Sequence, residues 1–180
     1  MNVRACLAGA FLISMSTFVS FTAGAEDWKI TGTDLVRYST HGQIVHGHQF
    51  GFVKPPGRCD TDVIWLSWSS HTPEALSAKG ADAVFAANVD GTQFKIGVRA
   101  RTAGHLTPNL IVVAFSDFIA GPKLIELLKS SNQITLTIDG PDSIAKLFDI
   151  KSDVFSLDGF GSNRRRAMQF CELAKSDAKP

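Results

Sequence analysis

Alternation of apolar and polar residues, which is typical of half-buried β-strands, runs through most of the chain. The clearest example is the pair of runs AVFAANV and TQFKIGVRAR, which flank Asp90-Gly91, a dipeptide typical of a tight β-hairpin. In the second run Phe94, Ile96 and Val98 define an inward face, and the residues between them are polar. The pattern therefore predicts an antiparallel hairpin in the middle of the chain.

Further strands are predicted from β-branched and aromatic runs bounded by Gly, Pro, Asn or Asp. They cover residues 28–40, 42–53, 62–69, 109–118 and 133–139, with one or two more in 145–150 and 153–159. In the segment 42–53 the alternation predicts one shared face for Ile44, His46, His48, Phe50 and Phe52. Strands therefore account for most of the predicted elements.

Two segments follow a helical period instead. Residues 121–132 carry Pro122 in the first turn and an apolar stripe, so they predict a short amphipathic helix. Residues 162–175 predict a C-terminal helix. Its predicted apolar face holds Ala167, Met168, Phe170, Cys171 and Ala174. With no internal repeat or linker, the sequence predicts one mainly β domain, an antiparallel β-sandwich or half-open barrel with one short internal helix and a C-terminal helix.

The N-terminus, residues 1–25, has the organisation of a secretory signal peptide. Arg4 precedes the apolar stretch ACLAGAFLISMSTFVSF, and the AGA at 23–25 fits the small-x-small cleavage pattern. We therefore expect cleavage after Ala25 and a single exported domain over residues 26–180, periplasmic or secreted, with no integral membrane segment. A membrane anchor is the alternative, and the short apolar stretch with its interrupting serines disfavours it.

The charge balance excludes one class of partner. Of the 18 Lys and Arg residues only Arg4 precedes Ala25, so the remaining 17 are balanced by 17 Asp and Glu. A near-neutral domain lacks the strongly basic surface of a general nucleic-acid binder, and no nucleic-acid partner is expected.

Two cysteines, Cys59 and Cys171, remain after removal of the signal peptide and of Cys6. In an exported chain two cysteines most simply form one disulfide, which would close a long loop. Two separate buried thiols are the alternative. A metal site built on them is disfavoured, because neither cysteine belongs to a CxxC pair or has a histidine beside it in the sequence.

His46 and His48 are candidate residues of a metal- or small-ligand-binding module, because alternation places them two residues apart on one strand face, a workable spacing for metal ligands. That face is otherwise apolar, so partly exposed histidines at a sheet edge are the alternative. The chain has no GxSxG elbow and no phosphate-binding loop. A hydrolase of unknown type is therefore a further alternative to which no catalytic residue is assigned, and no cofactor is predicted.

Two groups of arginines are candidate interaction residues. Arg164, Arg165 and Arg166 are expected in the first turn of the C-terminal helix, where cations oppose the helix dipole. The stem of Arg164 is expected to pack while its head reaches water. Arg99 and Arg101 lie on the polar face of the second hairpin strand. The sharper hypothesis joins both groups in one anion-binding patch, and the alternative is ordinary solvated faces.

The order of features also resembles a group of exported bacterial proteins. Trp28 and Cys59 are followed by a strand–helix–strand passage and the close DVFSLDGFGSNRRRAMQFC. The pattern F-x-L-x-G-(x)n-A falls on Phe155, Leu157, Gly159 and Ala167. The chain thereby resembles proteins of the invasion-associated locus B type and accessory periplasmic proteins of type VI secretion clusters. The resemblance implies a non-enzymatic periplasmic or secreted protein that binds a partner protein or envelope component, of virulence or secretion accessory type.

Overall fold

The computed structural model describes residues 28–32, 35–139 and 142–177. The predicted signal peptide at 1–25, with Cys6, lies outside the described residues. The described part is mainly β, because nine strands form one antiparallel sheet that is not closed. The predicted fold class is confirmed, and the continuous open sheet corresponds to its half-open form.

The described residues form nine strands, three α-helices and one 3₁₀ helix. The strands are β1 (Lys29–Thr31), β2 (Val36–His41), β3 (Gln49–Lys54), β4 (Val63–Ser70), β5 (Asp82–Val89), β6 (Thr92–Thr107), β7 (Leu110–Ser116), β8 (Gln133–Ile138) and β9 (Ser152–Ser156). The helices are α1 (Pro122–Lys129), α2 (Asp142–Ala145) and α3 (Phe160–Asp177), and the 3₁₀ helix covers Pro73–Ala78. The order across the sheet is β1-β2-β3-β4-β7-β6-β5-β8-β9. No helix in the described ranges is long and apolar enough to cross a membrane.

The predicted hairpin is formed by β5 and β6. Its two loop residues, Asp90 and Gly91, have φ angles of 47° and 88°, as a two-residue turn of the primed type requires. Ile96 and Val98 are buried while Arg99 is exposed, so the predicted alternation is confirmed. The local turn chemistry thus determines the register of the longest strand pair.

The two ends of the sheet approach each other. Gly42, directly after β2, forms an isolated bridge with Phe155 of β9. The indole nitrogen of Trp28, which precedes β1, donates to the Ser156 carbonyl at 3.1 Å. The sheet therefore curls until its two ends are near each other, joined by these two contacts, while the residues of β1 itself do not pair with β9 in the described structure.

The C-terminal helix α3 covers the core beside β1, β2 and β3. Phe160 at its start packs on Trp28, Tyr38 and Phe52, with ring centroids 5.2 to 6.2 Å apart. Ala167, about two turns further on, is fully buried. Burying each such aromatic side chain contributes about 1.5–3 kcal/mol, so this cluster is a main attachment of α3.

Phe170 is not part of the buried face that the sequence predicts. Its side chain is 49 % exposed, whereas Ala167 and Cys171 on the same helix are buried. At 100° per residue Phe170 lies 60° from Ala167, on the opposite side from Cys171, and so at the edge of the inward stripe. Its ring therefore borders the surface next to β1.

The segment 43–48, predicted as the start of a strand, is a turn between β2 and β3. The buried carboxylate of Asp153 accepts hydrogen bonds from the backbone nitrogens of Ile44 and Val45 at 2.9 and 3.0 Å. It also accepts one from the backbone nitrogen of Val154 at 2.7 Å. The N–H groups of Ile44 and Val45 thus bond to a carboxylate that is distant in the sequence instead of to a neighbouring strand. For this reason the alternating pattern does not produce a strand at 43–48.

Residues 145–150, also predicted as a strand, form the end of α2 and the turn after it. Phe148 is buried from this turn, with its ring 6.0 Å from that of Phe115. A short apolar run cannot distinguish a strand from another buried segment, which accounts for the error.

Candidate functional site

A buried ionic cluster attaches α3 to the sheet. Asp62, which precedes β4, is 1 % exposed, and its Oδ1 accepts the Tyr38 hydroxyl at 2.6 Å. Lys54 Nζ lies 2.5 Å from the same oxygen, and Arg164 Nε donates to Oδ2 at 2.7 Å. The expectation that the Arg164 head reaches water is therefore wrong: a buried carboxylate retains it.

Two cations, Lys54 and Arg164, share the Asp62 carboxylate in this cluster. Their surroundings shift the pKa values of Lys54 and of Tyr38. Burial lowers the pKa of Lys54, and the nearby Asp62 carboxylate opposes that shift. Burial and then Asp62 raise the pKa of Tyr38 well above its ordinary value, so its hydroxyl remains a donor. Apart from Asp62, Lys54 Nζ has no polar partner within the described part of the chain. The cluster anchors α3 to the sheet, and Arg164 takes part in it through Nε while 19 % of its side chain remains exposed.

The predicted disulfide between Cys59 and Cys171 is present, with the two Cα atoms 5.6 Å apart. Both cysteines are buried, and they join the turn between β3 and β4 to the middle of α3. This is a second attachment of the helix, independent of the Asp62 cluster. A disulfide is compatible with an exported protein, where oxidising conditions maintain such bonds.

The other candidate arginines differ in their partners. Arg99 Nε donates to Asp82 Oδ1 at 2.8 Å, which lowers the pKa of Asp82, and Arg101 pairs with Asp117. Arg165 and Arg166 are exposed on α3, and among the residues described neither has a carboxylate within salt-bridge distance. Arg99 and Arg101 on β6 are therefore neutralised locally, whereas Arg165 and Arg166 on α3 have no such partner in the described structure.

The two arginine groups occupy different regions of the molecule. α3 begins at Phe160, so Arg164 to Arg166 lie in its second turn rather than the first, where the dipole penalty is smaller. The helix lies against β1, β2 and β3, while β6, which carries Arg99 and Arg101, is separated from β3 by β4 and β7. We therefore treat the groups as separate surfaces.

A groove of about 430 Å³ runs between β1 and α3. One wall is formed by residues 28–32 and the other by Asn163, Arg166 and Phe170. These three residues lie on one helix face, because they are spaced three and four apart. The side-chain oxygen of Asn163 is buried and has no hydrogen-bond donor among the described residues. We name this feature the β1–α3 groove.

His48 is packed inside the protein, and its ring contacts are all made with other residues of the chain. It is fully buried, and its ring stacks on Trp68 with centroids 4.0 Å apart. Its Nδ1 lies 3.0 Å from Asp153 Oδ2, and its Nε2 lies 3.3 Å from the Ser69 carbonyl oxygen. Both ring nitrogens are thus engaged within the protein.

His46 lies apart from His48, at the surface of the 43–48 turn. Its ring stacks on that of His41, with centroids 4.6 Å apart. In the described ranges no group of three or more His, Cys, Asp or Glu side chains is placed to hold a metal ion. A metal site formed by His46 and His48 therefore stays a prediction.

We expect the free energy of unfolding to fall on mild acidification because of His48. Burial lowers the pKa of His48 from 6.5, against the opposing effects of Ser69 and Asp153. The unfolded chain then binds the proton more readily, so this contribution is complete above about pH 6.5 and is lost as the pH falls from there toward the folded-state pKa. Urea denaturation from about pH 7.5 to 5 measures the slope. His48→Gln should flatten it and His46→Gln should not, so equal slopes for wild type and His48→Gln would contradict the prediction.

Comparisons with known proteins give one weak likeness. No family model matches the chain, and no curated protein matches it. The structure is similar to the crystal structure of invasion associated protein B from Bartonella henselae, with 12 % sequence identity and a TM-score of 0.35. The similarity covers 82 % of this chain and 99 % of that chain.

Proposed function

We propose that the protein is an exported, non-enzymatic binding protein whose β1–α3 groove takes an acidic segment of a partner protein. The observation that carries the proposal is the contrast in pairing: Arg165 and Arg166 lack carboxylate partners in the described structure, and Arg166 lines the groove. Lys29, also exposed, adds a third positive charge at the opposite wall. A negatively charged partner would supply the missing counter-charges.

The groove is suited to binding rather than to catalysis. Its charged and polar side chains include a guanidinium, an ammonium and an amide, which at neutral pH are not nucleophiles or general bases. Beside them lie Trp28 and the half-exposed Phe170. Aromatic side chains next to arginine are typical of protein interfaces, where both residue types are enriched.

Export is part of the proposal. The predicted signal peptide and the Cys59–Cys171 disulfide support it, because a disulfide persists in an oxidising compartment. The sequence resemblance implies the finer role, an accessory protein of virulence or secretion that contacts a host or envelope component. The acidic segment would then belong to that component.

We expect the double variant Arg165→Ser/Arg166→Ser to bind an acidic peptide about tenfold more weakly, because two counter-charges are removed. The probe is a fluorescein-labelled heptapeptide of alternating Val and Glu, titrated by fluorescence anisotropy. Added salt should weaken wild-type binding by screening. Arg164 is left unchanged, because its replacement would also disturb the buried Asp62.

The matched control is Arg99→Ser/Arg101→Ser, which removes the same charge from arginines already paired with Asp82 and Asp117. It should bind the acidic peptide as wild type does. A counterpart peptide with Lys in place of Glu should bind no variant. Unchanged affinity in the Arg165/Arg166 variant, or an equal loss in the control, would show that the groove is not the acidic-partner site.

A further inference from the structure

We propose that the acidic segment enters the β1–α3 groove as an extended strand and pairs with the outer edge of β1. This rests on the proposed function and adds the backbone conformation of the partner. Recognition would then combine main-chain hydrogen bonds, which give affinity, with side-chain contacts to α3, which give selectivity.

β1 is the open edge of the sheet. Its residues pair with β2 on one side, from Lys29 opposite Ser39 to Thr31 opposite Arg37. On its other side the described structure contains no strand partner. The opposite end of the sheet differs, because Gly42 bridges to Phe155 of β9. An edge strand with unpaired N–H and C=O groups is a template for another chain.

The groove follows the backbone of β1 rather than one of its faces. Five consecutive residues, 28–32, line it. Successive side chains of a strand point to opposite faces, so a surface in contact with all of them runs along the strand edge. At about 3.3 Å per residue, the three residues of β1 give space for a strand of three or four residues.

The facing wall supplies side-chain contacts for such a strand. Arg166 is placed for a carboxylate, and the half-exposed ring of Phe170 for an apolar side chain. Asn163 lies on the same helix face and completes this wall. An alternating acidic and apolar segment therefore fits the wall better than a uniformly charged one.

Charge argues against a second copy of this chain as the occupant. Edge-to-edge pairing of two β1 strands would place Lys29 and Arg166 of both copies along one shared edge. The groove residues that the structure describes include no carboxylate to offset them. Like charges on paired strands are destabilising, so the proposal commits to an acidic segment of a different protein.

Backbone methylation tests the pairing. We would compare the Val–Glu heptapeptide with two versions N-methylated at alternate residues, one on the odd and one on the even positions. The N–H groups of alternate residues point to opposite edges of a strand. One methylated peptide should therefore bind the full mature protein at least tenfold more weakly than the parent, and the other should bind nearly as well. Hydrogen exchange at Lys29–Thr31 should slow when the parent peptide binds.

A helix variant tests the facing wall. Phe170→Ser should weaken binding of the parent peptide about tenfold, because the ring lines the groove. The matched control is Leu173→Ser on the same helix: Leu173 is 61 % exposed and does not line the groove. It should bind as wild type does.

The outcomes separate the two proposals. Equal affinity for all three peptides, with the Arg165/Arg166 effect retained, would overturn strand pairing and leave the acidic groove intact. Absence of binding by every acidic peptide would overturn both. A concentration-dependent dimer in sedimentation that the parent peptide does not dissociate would assign the edge to a second copy and overturn strand pairing with a partner.

Discussion

Replacing Asp62 with Asn is expected to lower the free energy of unfolding by about 3–5 kcal/mol, because it leaves buried charges without their counter-ion. The carboxylate is 1 % exposed and is shared by Lys54, Arg164 and the Tyr38 hydroxyl. The amide keeps the shape of the side chain and one acceptor oxygen, yet it carries no charge. Lys54, which is fully buried, and Arg164 would then lie close together without the carboxylate between them.

The matched control is Lys54→Met, which removes one of the two cations and keeps the carboxylate. It leaves Asp62 paired with Arg164, one charge of each sign, and replaces a fully buried ammonium with an apolar side chain of similar length. We expect a change within about 1 kcal/mol, in either direction. Urea denaturation with comparable m-values measures both variants. A loss for Asp62→Asn no larger than that for Lys54→Met would show that the carboxylate is not the element that holds the cluster together.

Removing the disulfide with Cys59→Ser/Cys171→Ser is expected to lower the free energy of unfolding by about 2–5 kcal/mol. The bond joins residues 112 apart, so its loss frees a long loop in the unfolded chain. A loop near 100 residues corresponds to about 4.7 kcal/mol in the chain-entropy model.

The loss of stability on removal of the disulfide should also be concentrated in α3. This helix leaves Phe170 and Leu173 exposed and is held by Phe160, the Asp62 cluster and the disulfide. Hydrogen exchange in the second half of α3 should therefore accelerate more than exchange in β4 or β7. Reduction of the wild type should reproduce the result without a substitution. Uniform acceleration across the sheet would contradict the view that the bond chiefly retains the helix.

Local chemistry explains which elements were predictable from the sequence. The β5–β6 hairpin follows from Asp90 and Gly91, whose φ angles are those the turn type needs. The helix α1 follows from Pro122 and an apolar stripe within one segment, and Lys129 ends it. In both cases the residues that decide the structure are neighbours in the chain.

Distant partners explain the errors. The 43–48 turn depends on hydrogen bonds to Asp153, more than 100 residues away. The alternating pattern around His46 gives no information about this distant carboxylate. Arg164 likewise depends on Asp62, 102 residues earlier. A helical wheel can place Arg164 near the inward face, but it cannot supply the buried carboxylate that this face meets.

The Lys54–Asp62 pair of the buried cluster can nevertheless be read from the alternation of apolar and polar residues. Lys54 follows Phe50 and Phe52 at two-residue spacing, and Asp62 precedes Ile64 at the same spacing on the next strand. In the observed register Val53 faces Val63, so continuing the inward faces places Lys54 beside Asp62. Two opposite charges at inward positions of adjacent strands are thus a sequence pattern for a buried ion pair.

The strand order has a consequence for the growing or translocating chain. β4 pairs with β7 rather than with β5, and β5 pairs with β8. A chain that has emerged only as far as β4 therefore exposes an unpaired edge on Val63–Ser70, a strand rich in β-branched and aromatic residues. Such an edge is a site for aggregation between molecules until β7 arrives. The interval between the appearance of β4 and that of β7 is therefore the stage at which the folding chain is most exposed to association with other molecules.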